Sequence, residues 1–145
     1  MPTLSSEHFS FVDAMRVGRL ATVDATEQPH VIPVCYACDG SSFYIALDDK
    51  PKHVAPERLK RVRNILEHPQ VALVIDRYSD DWSALAYLLI RGTAVLVAPD
   101  GAEHSGAIGL LRGRYSQYQA MPIEERPVIA IRPTSLVSWG LLSQS

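Results

Sequence analysis

The 145-residue sequence lacks features that mark several common protein classes. Its formal net charge is only −2, and its longest apolar run, Leu85–Ala98, is interrupted by Arg91 and Gly92 and is too short to span a bilayer. The first residues show no basic segment followed by an apolar one, so no signal peptide is indicated. We therefore expect a single domain over residues 1–145, located in the cytoplasm and without a membrane segment.

Motifs for several site chemistries are also missing. The sequence contains no GxGxxG or Walker loop, no GxSxG elbow and no HExxH pair. Its two cysteines, Cys35 and Cys38, lie in the strand-like run HVIPVCYAC, where residues three apart point to opposite faces. The five histidines show no zinc-type spacing. We expect buried, reduced thiols, no metal site and, given the slight acidity, no nucleic-acid surface.

The positive charge is concentrated in one segment, Lys50–Pro69. This segment holds six of the fourteen Lys and Arg, namely Lys50, Lys52, Arg58, Lys60, Arg61 and Arg63. Pro56 suits the first turn of a helix there, and the free N–H groups of a helix N-terminus beside basic side chains can hold a phosphate. The alternative is a solvated basic helix face whose apolar side packs on the core. The segment is thus a candidate site for a small phosphorylated ligand.

Apolar patterning predicts a mainly β fold. The six predicted strands are Arg19–Asp24, His30–Ala37, Ser42–Leu47, Val71–Arg77, Leu85–Ala98 and Val128–Trp139. Asp39 and Gly40 favour a hairpin, and Gly92 favours a bulge. Pro127 and Pro133 should confine the last strand to an edge or to a bulged path. Strands joined mostly by hairpins, with a few short helices, predict a six-stranded antiparallel barrel.

Three segments, in order, resemble a known family. RLATVDATEQPHVIPVCYA resembles the opening strand pair of the split-barrel flavin and deazaflavin reductases, the pyridoxamine-5'-phosphate-oxidase-like superfamily. KRVRNILEHPQVALVID resembles the basic helix that leads through His-Pro into an apolar strand, and YSDDWSALAYLLIRGTA continues the match. The resemblance covers roughly residues 9–139 and points to the branch that uses the deazaflavin coenzyme F-420. The Ser-Arg-Lys run of the true oxidases is replaced by Arg58-Leu59-Lys60-Arg61, so vitamin B6 oxidation is not expected.

The resemblance implies a split β-barrel of the FMN-binding type that forms a homodimer. It places coenzyme F-420 or FMN in a groove between the two barrels, with its ring along Ile32, Pro33 and Val34. Because Pro33 has no N–H, Val34 and Cys35 are the expected backbone donors to the ring. The resemblance places the phosphate end of the cofactor against five residues of the basic segment, Lys52, Arg58, Lys60, Arg61 and Asn64. Tyr78 and Trp82 are expected to shape the groove.

Two functions follow from this resemblance. The first is a cofactor-dependent oxidoreductase that transfers a hydride to a small unsaturated or quinone-like substrate. The cofactor would carry the chemistry, so no catalytic side chain is assigned, and His30 and Tyr36 are expected to be structural. The alternative is a barrel that binds a flavin, a deazaflavin or haem without turnover, with His53 or His68 as the axial haem ligand.

Overall fold

The computed structural model describes residues 2–48, 60–140 and 142, and within them a curled antiparallel sheet is flanked by short helices. The elements, in chain order, are α1 (Ser6–Ala14), β1 (Gly18–Val23), β2 (Pro29–Val34), β3 (Ala37–Cys38), β4 (Phe43–Ala46), α2 (Lys60–Glu67), β5 (Gln70–Arg77), β6 (Ala86–Val97), α3 (Ala102–Arg114) and β7 (Val128–Gly140). The predicted helix start at Pro56 lies outside the described residues. None of the helices in the described ranges combines the length and apolar character needed to cross a membrane.

The seven strands lie in the order β2-β1-β5-β6-β7-β4-β3, and every neighbouring pair is antiparallel. The predicted mainly β, antiparallel architecture is therefore confirmed, as a sheet curled into a half-barrel. The strand count is seven rather than six, because the segment predicted as one strand, His30–Ala37, is divided into β2 and β3. Asp39 and Gly40 form the predicted hairpin, in which the Asp39 carboxylate accepts the N–H groups of Ser41 and Ser42.

The division between β2 and β3 has a specific cause at Tyr36. The buried Tyr36 side chain reaches α1, where its hydroxyl lies 2.6 Å from the Val12 carbonyl oxygen and 2.9 Å from that of Met15. The Tyr36 backbone N–H donates to the Tyr115 hydroxyl at 3.1 Å, and its carbonyl accepts from Arg114 Nε at 2.9 Å. Because these backbone groups are satisfied by side chains, the chain can leave the strand ladder here without a hydrogen-bond penalty.

The last strand takes the bulged path, the second of the two alternatives that its prolines predict. β7 is an interior strand, between β6 and β4, rather than an edge. Its path is bulged, because Gly92 pairs with Pro133 while Arg91 pairs with Ser135, which leaves Thr134 as the extra residue. The bulge thus lies opposite Gly92, on β7 rather than on β6. A Cβ at Gly92 would stand 2.4 Å from the Arg132 carbonyl oxygen, so the close approach of the two strands requires glycine.

The core lies on both faces of the curled sheet. Inside the curl, fully buried aliphatic side chains of β1, β5 and β6 pack together, namely Leu20, Leu73, Ile75, Leu88 and Ile90. On the other face, α3 covers β4 and β7, with Leu111 and Ala107 packed near Tyr44 and Val128. Each such buried aliphatic side chain contributes roughly 1.5–3 kcal/mol. This double packing fixes the sheet in its curl and thereby fixes the distance between its two ends.

Candidate functional site

The main candidate site is a groove of about 320 Å³ at the split of the half-barrel, between β2 and β4. β2 is an edge strand of the sheet, and β3 pairs with β4 only as far as Phe43 and Tyr44, so among the described residues one edge of Ile45 and Ala46 has no strand partner. Open strand edges present N–H and C=O groups to whatever lies between them. The groove is lined by Val17, Ile32, Pro33, Val34, Cys35, Ile45, Ala46, Asp48 and Arg61.

The proline in β2 indicates which backbone groups face the groove. Pro33 lies opposite Arg19 of β1 and has no N–H to donate across that pair. Proline is tolerated on an edge strand where its nitrogen points away from the neighbouring strand. Since the backbone groups of successive residues alternate in direction, the carbonyl of Pro33 and the N–H of Cys35 are expected on the open side. Of the two backbone donors expected from the sequence, Cys35 therefore fits better than Val34.

Arg61 is the cation of the groove wall, and α2 holds it there. Arg61 is buried, with 8% of its surface exposed. The buried side chain of Asn64 fixes the helix to β1, because Asn64 Nδ2 donates to the Thr22 hydroxyl at 2.9 Å. At the end of the helix, Glu67 accepts the backbone N–H of Ala25 at 2.8 Å. The helix is thus tied to β1 and to the β1–β2 turn, and Arg61 is positioned by a rigid support.

The neighbouring cation, Lys60, lies in a different environment. Its side chain is exposed, and its Nζ lies 3.3 Å from Asp24 Oδ2 in the β1–β2 turn. The pKa of Asp24 is held well below its usual range, chiefly by the Gln28 backbone N–H and the Thr26 hydroxyl, with a smaller contribution from Lys60. An exposed ion pair of this kind contributes little stability. Lys60 and Arg61 are adjacent in sequence, but only Arg61 belongs to the groove wall.

Cys35 and Asp48 are polar residues of the groove wall, and Tyr118, which is not part of that wall, contacts Asp48. The Tyr118 hydroxyl donates a hydrogen bond to Asp48 Oδ2. Burial raises the pKa of the Cys35 thiol, and the nearby Asp48 carboxylate raises it further. Burial also raises the pKa of the Tyr118 hydroxyl, and the hydrogen bond to Asp48 adds to that effect. Both groups are therefore protonated at neutral pH, and Cys35 presents a thiol rather than a thiolate to the groove.

The structure brings four of the ten predicted site residues together in the groove wall, namely Ile32, Pro33, Val34 and Arg61. Lys60 and Asn64 lie on the same helix but make the contacts described above. Tyr78 and Trp82 lie in the β5–β6 connection with 68% and 73% of their surfaces exposed, and neither belongs to this wall. Lys52 and Arg58 lie outside the described residues.

Sequence reasoning missed four residues of the wall, Val17, Ile45, Ala46 and Asp48. Asp48 offered a signal, because an acidic residue directly follows the apolar run FYIAL at the end of β4. Tyr36, by contrast, is fully buried, and its hydroxyl contacts the Val12 carbonyl of α1. Both cysteines are free thiols, and within the described ranges no group of three or more ligand-type side chains is placed to hold a metal.

The order of the elements and the open groove can be compared with known proteins. A family model described as pyridoxamine 5'-phosphate oxidase matches residues 4–140. The chain belongs to the pyridoxamine 5'-phosphate oxidase family. This is an oxidoreductase-like family built on the flavin-binding split barrel, so both the relationship suspected from the sequence and the predicted fold are confirmed.

Individual proteins that are similar to this chain differ in their named functions. A 5a,11a-dehydrotetracycline/5a,11a-dehydrooxytetracycline reductase of Streptomyces rimosus is 27% identical over 142 residues, which cover 97% of this chain and 85% of that protein. A solved F-420 reductase is 25% identical, with a TM-score of 0.67 over 92% of this chain and 98% of its own. HutZ, the haem storage protein of Vibrio cholerae, has a TM-score of 0.72 over 92% and 94% of the two chains, but at 19% identity this likeness shows the fold alone.

Proposed function

We propose that this protein is an oxidoreductase that binds coenzyme F-420, or alternatively FMN, in the β2–β4 groove and transfers a hydride to a small organic substrate. The observation that carries the proposal is the groove itself, which is lined both by an open strand edge and by the buried cation Arg61. Family membership and the two reductases among the relatives support an oxidoreductase. The similarity to an F-420 reductase along 98% of that chain favours F-420 over FMN.

The residues of the groove fit a flavin-type ring. Ile32, Val34 and Ile45 offer apolar contact, and the open edge of β2 offers a carbonyl and an N–H to a polar ring edge. Arg61 would pair with an anionic group of the cofactor by charge-assisted hydrogen bonds. When bound, the reduced cofactor supplies the hydride. The chain would bind the ring, orient it and exclude water from one side of it.

The haem alternative comes second in this proposal. Of the two histidines considered as axial ligands, His53 lies outside the described residues. His68 follows α2, donates its backbone N–H to the Asn64 carbonyl at 2.7 Å and is not part of the groove wall formed by the described residues. The Cys35 thiol is the side chain of that wall best suited to an iron, and its raised pKa disfavours the thiolate that haem would require.

We further propose a homodimer that uses the outer face of the sheet. The register places Val74, Leu89 and Val137 side by side on that face, with Arg19 on the other side of Val74, and Tyr87 and Trp139 stack beside them at 5.9 Å. Exposed fractions of 43% for Val137 and 52% for Trp139 make this an apolar surface. Light scattering after gel filtration should give twice the chain mass, and Trp139→Glu should shift it toward the monomer.

Paired titration tests the cofactor assignment. Purified protein is titrated with coenzyme F-420 and with FMN, and binding is followed by the fluorescence of each compound. Micromolar or tighter binding of F-420 with at least about tenfold weaker binding of FMN would support the proposal as stated. The reverse preference would move the protein to the flavin-dependent members, and failure of both to bind would overturn the proposal.

A further inference from the structure

A second cavity adjoins the groove and shares a wall with it. This cavity measures about 540 Å³ and lies between the segment after α1 and the turn that follows α3. Val17, Cys35 and Asp48 line both the cavity and the cofactor groove. A ligand in the cavity would therefore contact some of the same side chains as a ring in the groove. Two compartments that meet at one wall suit two reactants of a single reaction.

The polar groups of the cavity are arranged by hydrogen bonds that are already formed. Tyr118 is 3% exposed, and its proton is donated to Asp48, so its hydroxyl oxygen and the carboxylate retain capacity only as acceptors. Arg16 supplies hydrogen-bond donors instead. Its guanidinium donates one N–H to the Arg114 carbonyl and lies 4.7 Å from the ring centre of Tyr115. The guanidinium has five N–H groups, so donors remain for a ligand.

Apart from Gln117, the rest of the cavity wall is apolar or aromatic. Met121 and Val17 supply aliphatic contact, and Tyr115 presents its ring. A thioether adapts to irregular flat molecules, and an aromatic face favours a planar partner. The cavity thus combines aliphatic and aromatic contacts, a pair of acceptors and a cation. The ligand that matches it is a planar ring compound with a hydroxyl donor beside a carbonyl acceptor.

We infer that this cavity is the substrate compartment and that the Asp48–Tyr118 pair selects hydroxylated aromatic or conjugated ring substrates through their hydroxyl groups. The inference rests on the proposed function, because the groove must hold the cofactor for the neighbouring cavity to hold its substrate. Asp48 and Tyr118 are specificity residues here, since each would contact the substrate hydroxyl without giving or taking the transferred hydride.

The test is a binding measurement with two matched probes, 2-naphthol and 2-methoxynaphthalene, which differ in the hydroxyl donor. Equilibrium dialysis is performed on the full chain, with and without F-420. We expect the native protein to prefer 2-naphthol by at least about fivefold, because one hydrogen bond to a carboxylate-supported acceptor is lost with the ether. Asp48→Asn and Tyr118→Phe should each reduce that preference to less than about twofold.

Tyr44→Phe is the matched control for Tyr118→Phe. The buried Tyr44 hydroxyl also meets carboxylates, at 3.1 Å from Asp39 Oδ2 and 2.8 Å from Glu103 Oε2, but it lines neither the groove nor the second cavity. This variant should keep the native preference for 2-naphthol. Met121→Trp, which places a larger side chain in the cavity, should weaken the binding of both probes by the same factor. This variant tests the inference if Asp48→Asn or Tyr118→Phe fails to fold.

The outcomes separate the inference from the function on which it rests. Titration with F-420 should give the same dissociation constant for native protein, Tyr118→Phe and Tyr44→Phe. If the cofactor binds but the probes are not distinguished, or are distinguished equally by all variants, the substrate compartment is overturned and the proposed function stands. If neither cofactor binds while the preference for 2-naphthol depends on Asp48 and Tyr118, the proposed function fails and the hydroxyl-selective cavity stands.

Discussion

Strand β2 runs from one kind of environment into another. Along Ile32–Val34 its outer edge faces the groove, where backbone groups remain available to a ligand. Directly after the strand, the backbone groups of Tyr36 are fully used by Arg114 and Tyr115. The same stretch of chain is thus open at one end and closed at the other. Substitutions should cost ligand affinity on the open side and folding stability on the closed side.

On the closed side, we expect the largest loss of folding stability from a substitution of Arg114. Its guanidinium donates to the carbonyl oxygens of Tyr36, Asp13 and Met15 at 2.7–3.0 Å, and only 13% of the side chain is exposed. Arg114→Met removes one donor from each of these carbonyls, although the Tyr115 hydroxyl still donates to Tyr36 and the Tyr36 hydroxyl to Met15. We expect the free energy of unfolding to fall by about 3 kcal/mol. Urea denaturation measures the change. A loss below about 1 kcal/mol, or a loss equal to that of the exposed Arg63→Met, would contradict this prediction.

A second site where folding stability should fall lies away from β2, where β6 and β7 approach closely. Gly92→Ala would place a methyl group 2.4 Å from the Arg132 carbonyl oxygen, and the backbone must move to admit it. We expect about 2 kcal/mol of destabilisation in urea denaturation. Gly109→Ala is the matched control, because a Cβ there meets nothing within 4 Å and alanine favours the α3 helix. That control should be neutral or more stable, and an equal loss in both variants would rule out the steric explanation.

The adjacent residues Arg61 and Lys60 allow a direct test of which cation contributes to ligand binding in the groove. Arg61→Met removes the buried cation of the groove wall, so affinity for F-420 should fall at least tenfold, about 1.4 kcal/mol. Lys60→Met removes only an exposed partner of Asp24 and should change the affinity less than about threefold. Fluorescence titration gives both constants, and thermal melting confirms that the variants fold. Equal losses of affinity in the two variants would contradict this prediction and would indicate that the basic segment as a whole contacts the phosphate.

The smallest expected effect concerns pH, at an ion pair on the α3 face of the sheet. The Arg132 guanidinium, with help from the Tyr44 hydroxyl, holds the pKa of Glu103 below its usual value of 4.5. The unfolded chain then binds more protons than the folded one, so stability is full above that value and is lost as the pH falls through the folded pKa. In Glu103→Gln, the urea midpoint should therefore fall less steeply as the pH is lowered than it does in the native protein. Because the pair is partly exposed, the difference should stay under about 1 kcal/mol, and an equally steep fall in both proteins would contradict the prediction.

The fold was more predictable than the site. Alternating apolar residues revealed six of the strand segments, since a half-buried strand imposes period two on its sequence. The interruption between β2 and β3 at Cys35 and Tyr36 could not be predicted from the sequence. Its cause lies in Tyr115 and Arg114, almost eighty residues away. For the same reason the interior position of β7 was not visible, since the bulge at Thr134 that accommodates Pro133 depends on Gly92 of another strand.

At the site, the resemblance located the groove residues of β2 and Arg61, and the charge count alone did not separate Arg61 from Lys60. Their separation depends on which face of α2 is turned inward, and that face is fixed by the contact of Asn64 with Thr22. Asp48 was missed because its partner, Tyr118, is seventy positions away and no local pattern joins them.

The open edge of β2 has a consequence for how this scaffold can vary. A main-chain carbonyl and N–H look the same to a ligand whichever side chain follows the Cα atom, provided the strand keeps its path. Substitutions along β2 can therefore accumulate while ring recognition is retained, and the residues that distinguish relatives should concentrate in the second cavity and around Arg61. For engineering, substitutions along β2 are therefore not expected to create a new substrate preference. Libraries that aim at a new substrate belong at Arg16, Asp48, Tyr118 and Met121.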